Sequence, residues 1–274
     1  LILSGDLPSY QKASHGFKEN FGKPFKEYVL PKSETSRELM ERVQAQDPSV
    51  IVTVGSKAAA EVLKHFPKTP VIYCMVVNPE RQGLLSRKKV YGIGFTVKES
   101  VLFSKYKTAL PGLKRLGVIV DKASDEKWLD EISEQARSMG LEIIAEKAAS
   151  SSDIPNIMRS LSGKIDAFWM TTDSVVTSKF AFHTISNFCL DSKIPLLVPV
   201  GSLVGAGGLL SVTSSEFEIG AEAAALSAKL LAGQVPAAPL TQPSQIDITV
   251  SLKIANAMGI QIPESILRAA VIIQ

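Results

Sequence analysis

The sequence predicts an α/β fold of two lobes, each built on a parallel sheet flanked by helices. Three observations carry this. Strand-like and helix-like segments alternate from end to end. The strand-like runs are continuously apolar, as suits strands covered on both faces. Two stretches also share one plan: Pro48–Val77 reads strand, polar turn, helix, Thr69-Pro70, strand, and Lys164–Val200 reads strand, polar turn, helix, Ile194-Pro195, strand. The first lobe is expected to take residues 1–94 with about 210–240, and the second 95–209 with about 241–274. Repeated crossings would form a multi-strand hinge on which the lobes open and shut as rigid bodies.

In chain order, the strand-like runs are Leu1–Ser4, Val50–Val54, Val71–Val77, Leu116–Val120, Leu141–Ala145, Ile165–Met170 and Leu196–Val198. The helices between them have legible ends. Thr35-Ser36-Arg37-Glu38 reads as a capping box, followed by the apolar stripe Leu39, Met40 and Val43. Ser124 is placed to cap a helix with Trp128, Leu129, Ile132, Ala136 and Met139 inward, ended by Gly140 in the left-handed conformation. Asp153 is expected to cap the next, with Ile154, Ile157, Met158 and Leu161 inward and Gly163 at its end. Ser215–Glu218 reads as a second capping box, opening a helix that stops at Gly233. Pro236–Pro243 is a Pro-rich link, and a last short helix, Leu252–Met258, stops at Gly259.

Composition narrows the function classes. The chain has 274 residues, 45% hydrophobic and 21% charged, with a net charge of +3. So small a charge argues against nucleic acid or an anionic membrane as partner. The runs Arg87-Lys88-Lys89 and Lys64-His65 read as solvated surface. No stretch reaches the ~18 apolar residues of a membrane helix. The chain opens on Leu1-Ile2-Leu3 without a starting Met, so an upstream segment is expected to have been removed. Cys74 and Cys189 read as buried thiols, with a pairing left open, because neither sits in a CxxC pair.

Enzyme motifs are thin. His15, His65 and His183 are scattered and give no metal-ligand spacing. Gly201-Ser202 lacks the flanks of a G-x-S-x-G elbow, and no Walker or G-x-G-x-x-G sequence occurs. Gly205-Ala206-Gly207-Gly208 reads as a hinge or close-packing loop. The expectation is a non-enzyme with no cofactor and no metal.

Ligands of open parallel sheets sit beyond the carboxyl ends of the strands, where helix N-termini point free N–H groups. The residues there are small and polar: Ser4, Gly5, Asp6, Gly55, Ser56, Asn78, Thr96, Asp121, Thr171, Thr172, Asp173, Ser174, Gly201 and Ser202. Gly55 lets backbone approach a ligand closely, and Ser56 either caps the helix or binds an anion such as a carboxylate. Asp173, at the matching point of the second half, either accepts from a ligand ammonium or caps a helix. Asp6 and Asp121 are weaker candidates of the same kind. Tyr10 either stacks on a ligand ring or packs on its own lobe, and Asn78, before Pro79, begins a turn.

At these residues the chain resembles the ABC transporter substrate-binding proteins that include bacterial tryptophan-binding lipoproteins. The matching stretches are Val52-Thr53-Val54-Gly55-Ser56-Lys57-Ala58-Ala59, Thr69-Pro70-Val71-Ile72-Tyr73 leading to Asn78-Pro79 and Gly83-Leu84, Leu110–Val118, Thr172-Asp173-Ser174 and Val250–Pro263. The resemblance implies the type I periplasmic-binding-protein architecture, with two Rossmann-like lobes, three crossovers and a small-molecule ligand in the cleft. It implies an exported or lipid-anchored monomeric receptor delivering an aromatic or large apolar amino acid to an ABC permease. By position, Gly55 and Ser56 match the turn that holds the ligand carboxylate, and Asp173 the acidic residue facing it. Two stretches depart: Asn78-Pro79-Glu80 replaces an Asp-Pro-Val-like run, and Lys89–Gly94 a Gly-Asn-Val-Thr-Gly-like one. Two further readings stay open: a sensory module of a receptor or regulator, and a racemase or lyase using Asp6, Asp173 or Cys74.

Overall fold

The computed structural model describes residues 1–31, 36–80, 82–124, 126–243 and 245–274. Its backbone divides into two compact units. The first is Leu1–Thr96 with Ser214–Ile246, and the second is Val97–Thr213 with Asp247–Gln274.

The first unit contains β1 (Ile2–Leu3), α1 (Pro8–Phe21), β2 (Tyr28–Val29), α2 (Arg37–Gln44), β3 (Ile51–Val54), α3 (Ser56–His65), β4 (Val71–Cys74) and β5 (Val90–Ile93). The second continues with α4 (Glu99–Ala109), β6 (Arg115–Asp121), α5 (Glu126–Ser138), β7 (Glu142–Ala148), α6 (Ile154–Leu161), β8 (Ala167–Trp169), α7 (Lys179–Asp191), β9 (Leu196–Val198) and β10 (Leu210–Ser214). The chain then gives α8 (Glu216–Leu231) and β11 (Leu240–Thr241) to the first unit. It ends with β12 (Ile246–Ser251), α9 (Leu252–Met258), α10 (Glu264–Leu267) and β13 (Ala270–Ile273). The sheets are ordered β11-β5-β4-β3-β1-β2 and β13-β12-β10-β9-β8-β6-β7.

In the first sheet, register sets where the polar turns fall. Leu3 lies opposite Val54, Val54 opposite Cys74, and Cys74 opposite Ile93, all in parallel pairing. The residues that follow, Ser4, Gly55, Met75 and Gly94, therefore form one row along the carboxyl edge. One face of this sheet packs Leu3, Val52, Val54, Ile72 and Cys74 against Phe17, Ile219 and Ala223 of α1 and α8. These helices touch backbone to backbone: a Cβ on Gly16 would lie 1.9 Å from the Phe217 carbonyl oxygen, and one on Gly220 1.8 Å from that of Ala13. The other face packs Ile2, Ile51, Val71 and Tyr73 on α2 and α3.

The second unit repeats the plan, with Ile119, Phe168, Leu196 and Val198 packed on Met158, Leu161 and Ile185 of α6 and α7. On the other face Trp169 meets Phe103 of α4 edge-on, with ring centroids 5.4 Å apart. Both cysteines are buried and unpaired, one in each unit. The Gly205–Gly208 segment is a close-packing loop, since a Cβ on Gly208 would lie 2.7 Å from Val198.

Several helix ends differ from expectation. Thr35 of the first expected capping box lies outside the described residues, and the Ser36 hydroxyl donates to Glu61 instead. Asp153 makes no side-chain cap to α6, because its carboxylate closes a capping box with Ser150 one turn earlier. Ser215 precedes α8 but its side chain accepts no capping bond. Asp125, adjoining α5, lies outside the described residues, and the Ser124 hydroxyl is committed to Asp173. Strand β7 is only half-buried, unlike the fully covered run expected, because it is the edge of its sheet.

Candidate functional site

In the first unit the polar turn is built around Gly55. It joins β3 to α3 with no other intervening residue, and its φ of +91° is one that side chains rarely adopt. A Cβ here would lie 2.6 Å from the Ser4 hydroxyl oxygen and 2.7 Å from that of Tyr10. The glycine thus answers both a backbone and a space requirement.

The cap of α3 does not come from Ser56. The Ala58 N–H donates to Ser4 Oγ at 2.8 Å, so a hydroxyl from the end of β1 supplies the bond a local N-cap side chain would make. The Ala59 N–H is taken by the Gly55 carbonyl. No acceptor faces the N–H groups of Ser56 and Lys57 among the described residues. Ser56 Oγ accepts from Gln82 Nε2 at 3.2 Å, and the same Nε2 donates to the Val77 carbonyl at 2.7 Å. The Lys57 ammonium reaches the Pro31 carbonyl instead.

Tyr10, in the first turn of α1, is half-buried against the cluster holding Val54 and Cys74. Burial, and then the nearby Cys74, push its hydroxyl above the ordinary phenol range. Asn78 has φ +46° and opens a turn in which its carbonyl accepts from Gln82 N–H, as its place before Pro79 implies. Asp6 is exposed and accepts from Gln11 at 2.7 Å. Thr96 is exposed and ends the unit's first segment. Leu7 and Val77, on the loops after β1 and β4, stay about half exposed and give the edge an apolar component. Just beyond this row, the Ser56 and Lys57 N–H groups are the donors left without an acceptor among the described residues.

In the second unit the corresponding turn is organised by acceptors. Asp173 Oδ2 accepts from the Asp121 N–H at 3.1 Å and the Ser124 hydroxyl at 2.8 Å, and Oδ1 from the Val175 N–H at 3.3 Å. Asp121 Oδ1 accepts from the Ala123 N–H at 2.8 Å, and its Oδ2 lies 3.5 Å from the Ser174 hydroxyl. Asp173 thus ties the end of β6 to the loop after β8. Its carboxylate retains lone pairs for a further donor, since each oxygen offers about two. Ser178, not Asp173, caps α7 through the Ala181 N–H. Gly201 opens a short turn after β9, where a Cβ would lie 3.1 Å from Thr249 Oγ1, and Ser202 beside it is exposed.

Other chemistry has little support here. Cys74 lies under this turn, but burial pushes its thiol up to about 12, so it stays protonated. His15 pairs with Glu19, and His65 with the Glu61 carbonyl, both on the surface. Among the described residues no group of three His, Cys, Asp or Glu is placed to hold a metal ion, and no helix is long and apolar enough to cross a membrane. The structure adds two residues that sequence reasoning missed. Ser4 stands among the polar residues after the first strand, but its role as the cap of α3 does not show in the sequence. Gln82 has no motif. Met75 takes φ +56° just after β4, a strained conformation that side-chain pattern does not announce.

The chain is similar to known proteins along most of its length. The model of the family described as ABC transporter substrate binding protein matches residues 30–273. A tyrosine-binding protein of Clostridioides difficile strain R20291 is 22% identical over 235 residues, covering 83% of this chain and 68% of its own. A ligand-free, open substrate-binding protein with adhesive properties from Clostridium difficile superposes with a TM-score of 0.78 at 19% identity, covering 100% of this chain and 97% of its own. The ABC domain in complex with L-Trp from Streptococcus pneumonia gives a TM-score of 0.67 at 21% identity, covering 100% and 98%. At these identities the likeness of the structures is one of fold.

Proposed function

This chain belongs to the ABC transporter substrate-binding protein family, and from that premise we propose that it is the extracytoplasmic solute receptor of an ABC importer. Its two units close as a monomer on a small zwitterion, an aromatic or large apolar amino acid, and present it to a membrane permease. The reading rests on one observation: the turn at Gly55 and Ser56 offers two N–H groups without acceptors among the described residues, beside a hydroxyl, at the positive end of a ten-residue helix. Two N–H donors and a hydroxyl at a positive helix end suit a carboxylate.

Asp173 and Asp121 are assigned the ammonium, and Tyr10, with Leu7 and Val77, the apolar side chain. Asp6, Asn78, Thr96, Ser174, Gly201 and Ser202 are assigned to the polar rim. The tyrosine-binding protein and the L-Trp complex, as relatives, support an aromatic side chain.

The energetics allow it. A buried ring removes ~150–250 Å² from water, about 4–6 kcal/mol. Charge-assisted hydrogen bonds add ~1.5–3 kcal/mol each, against at least ~4 kcal/mol for association. One ring and three or four ionic contacts then reach about −8 kcal/mol, a micromolar constant.

Thermal unfolding with each of the common L-amino acids tests the proposal. Aromatic members should raise the melting temperature, and Ser56→Ala and Asp173→Ala should reduce that rise. No rise with any amino acid would refute the ligand class; unchanged rises in both variants would refute the site.

A further inference from the structure

Resting on the reading of Gly55 and Ser56 as the carboxylate site, we infer that Gln82 is a positioning residue that fixes the Ser56 hydroxyl as a donor to the ligand. The amide orientation follows from chemistry. The Gln82 atom 2.7 Å from the Val77 carbonyl must be the nitrogen, because a carbonyl oxygen only accepts. That same nitrogen lies 3.2 Å from Ser56 Oγ. Ser56 therefore receives a hydrogen bond on that side, and its own proton points elsewhere.

The hydroxyl itself has no acceptor among the described residues. Nor is it occupied in capping α3, since Ser4 makes that bond. A serine hydroxyl ordinarily rotates to suit its surroundings, accepting or donating. Here one of its lone pairs is occupied from a fixed direction, which leaves the O–H to complete a set of three donors with the Ser56 and Lys57 N–H groups. Gln82 is itself anchored: its backbone N–H donates to the Asn78 carbonyl, within the turn that Asn78 opens at φ +46°. The unusual backbone at Asn78 thereby acquires a purpose, since it carries Gln82 back toward α3.

A double-mutant cycle tests this, using calorimetry with the tightest binder among L-tyrosine, L-tryptophan and L-phenylalanine. Gln82 is exposed, so its variants should fold and melt like the parent. Gln82→Ala should weaken binding about fivefold. If Gln82 acts through Ser56, adding Gln82→Ala to Ser56→Ala should weaken binding no further.

Gln82→Glu should be worse than Gln82→Ala, by more than about tenfold in total, because a carboxylate would accept the Ser56 O–H hydrogen bond, turning it away from the ligand, and would repel the ligand carboxylate. Lowering the pH from about 7.5 to about 5 should restore part of that loss as the introduced carboxylate protonates, while the parent barely changes. Additive losses, or a Gln82→Glu variant that binds like the parent, would overturn the role of Gln82 while leaving the carboxylate site intact. A Ser56→Ala variant with unchanged affinity would overturn both.

Discussion

The same β-α-β plan is used twice, and its two turns do opposite things. In the first unit a single residue, Gly55, lies between β3 and α3, and the cap arrives from another strand through Ser4. The first two N–H groups of the helix, of Ser56 and Lys57, are left without acceptors among the described residues. In the second unit residues 170–178 separate β8 from α7, Ser178 caps the helix locally, and Asp173 gathers N–H and O–H donors from β6 and its own loop. A tight turn conserves unused donors, whereas a long one supplies a carboxylate that must first support itself. One plan thereby yields a turn with free donors in one unit and a turn built on a carboxylate in the other.

The comparison breaks most severely at its glycines. Gly55→Ala should destabilise the protein by about 3 kcal/mol, combining strain at positive φ with a clash against Ser4 and Tyr10. Gly201→Ala, whose Cβ would meet only Thr249 Oγ1 at 3.1 Å at closest, should cost less than about 1 kcal/mol. Urea unfolding of both variants checks the contrast; equal losses would mean the first turn is not specially constrained.

Next in size, Asp173→Ala should cost about 2 kcal/mol of stability as well as affinity, since it strands partly buried donors. Ser56→Ala should cost roughly tenfold in affinity and almost nothing in melting temperature, because it neither caps nor packs. Ser4→Ala should do the reverse, losing about 1 kcal/mol of stability as a cap is removed. A Ser56→Ala variant that melts early while Ser4→Ala does not would exchange their roles.

The smallest expected effect is one of pH. Burial opposes ionisation of Asp166, but hydrogen bonds from the Arg115 guanidinium and from the Arg115 and Lys114 N–H groups prevail and hold its carboxyl below the ordinary range. Its folded pKa lies below the unfolded one. Its contribution is therefore complete above the ordinary carboxylate value and fades as the pH falls through the folded value. The stability gap between the parent and Asp166→Asn should close on acidification and stay constant near neutrality.

Much of this architecture was legible because burial on both faces leaves continuous apolar runs. Ile51–Val54 and Leu196–Val198 are recognisable for that reason. Strand β5 escaped notice because Gly92 interrupts it, the room being taken by the Tyr73 ring of the neighbouring strand. Strands β10 and β12 mix Ser, Thr and Asp with apolar residues, and β2 is only two residues long.

At the site, Gly55 could be identified because only a few geometries need glycine between strand and helix. The roles of Ser4 and Gln82 could not. Each acts across a long stretch of sequence, on partners that adjacency in the sheet and a turn at Asn78 bring near. Asp173 was found by type and position, but its hydrogen bonds to Asp121 and Ser124 depend on sheet neighbours that local sequence does not reveal.

The central claim is that the turn at Gly55 and Ser56 takes a carboxylate. Calorimetry with the tightest-binding aromatic L-amino acid and its carboxamide addresses it directly. The acid should bind at least about tenfold tighter than the amide, and Ser56→Ala should shrink that preference. Equal affinity for acid and amide in the parent protein would contradict the account.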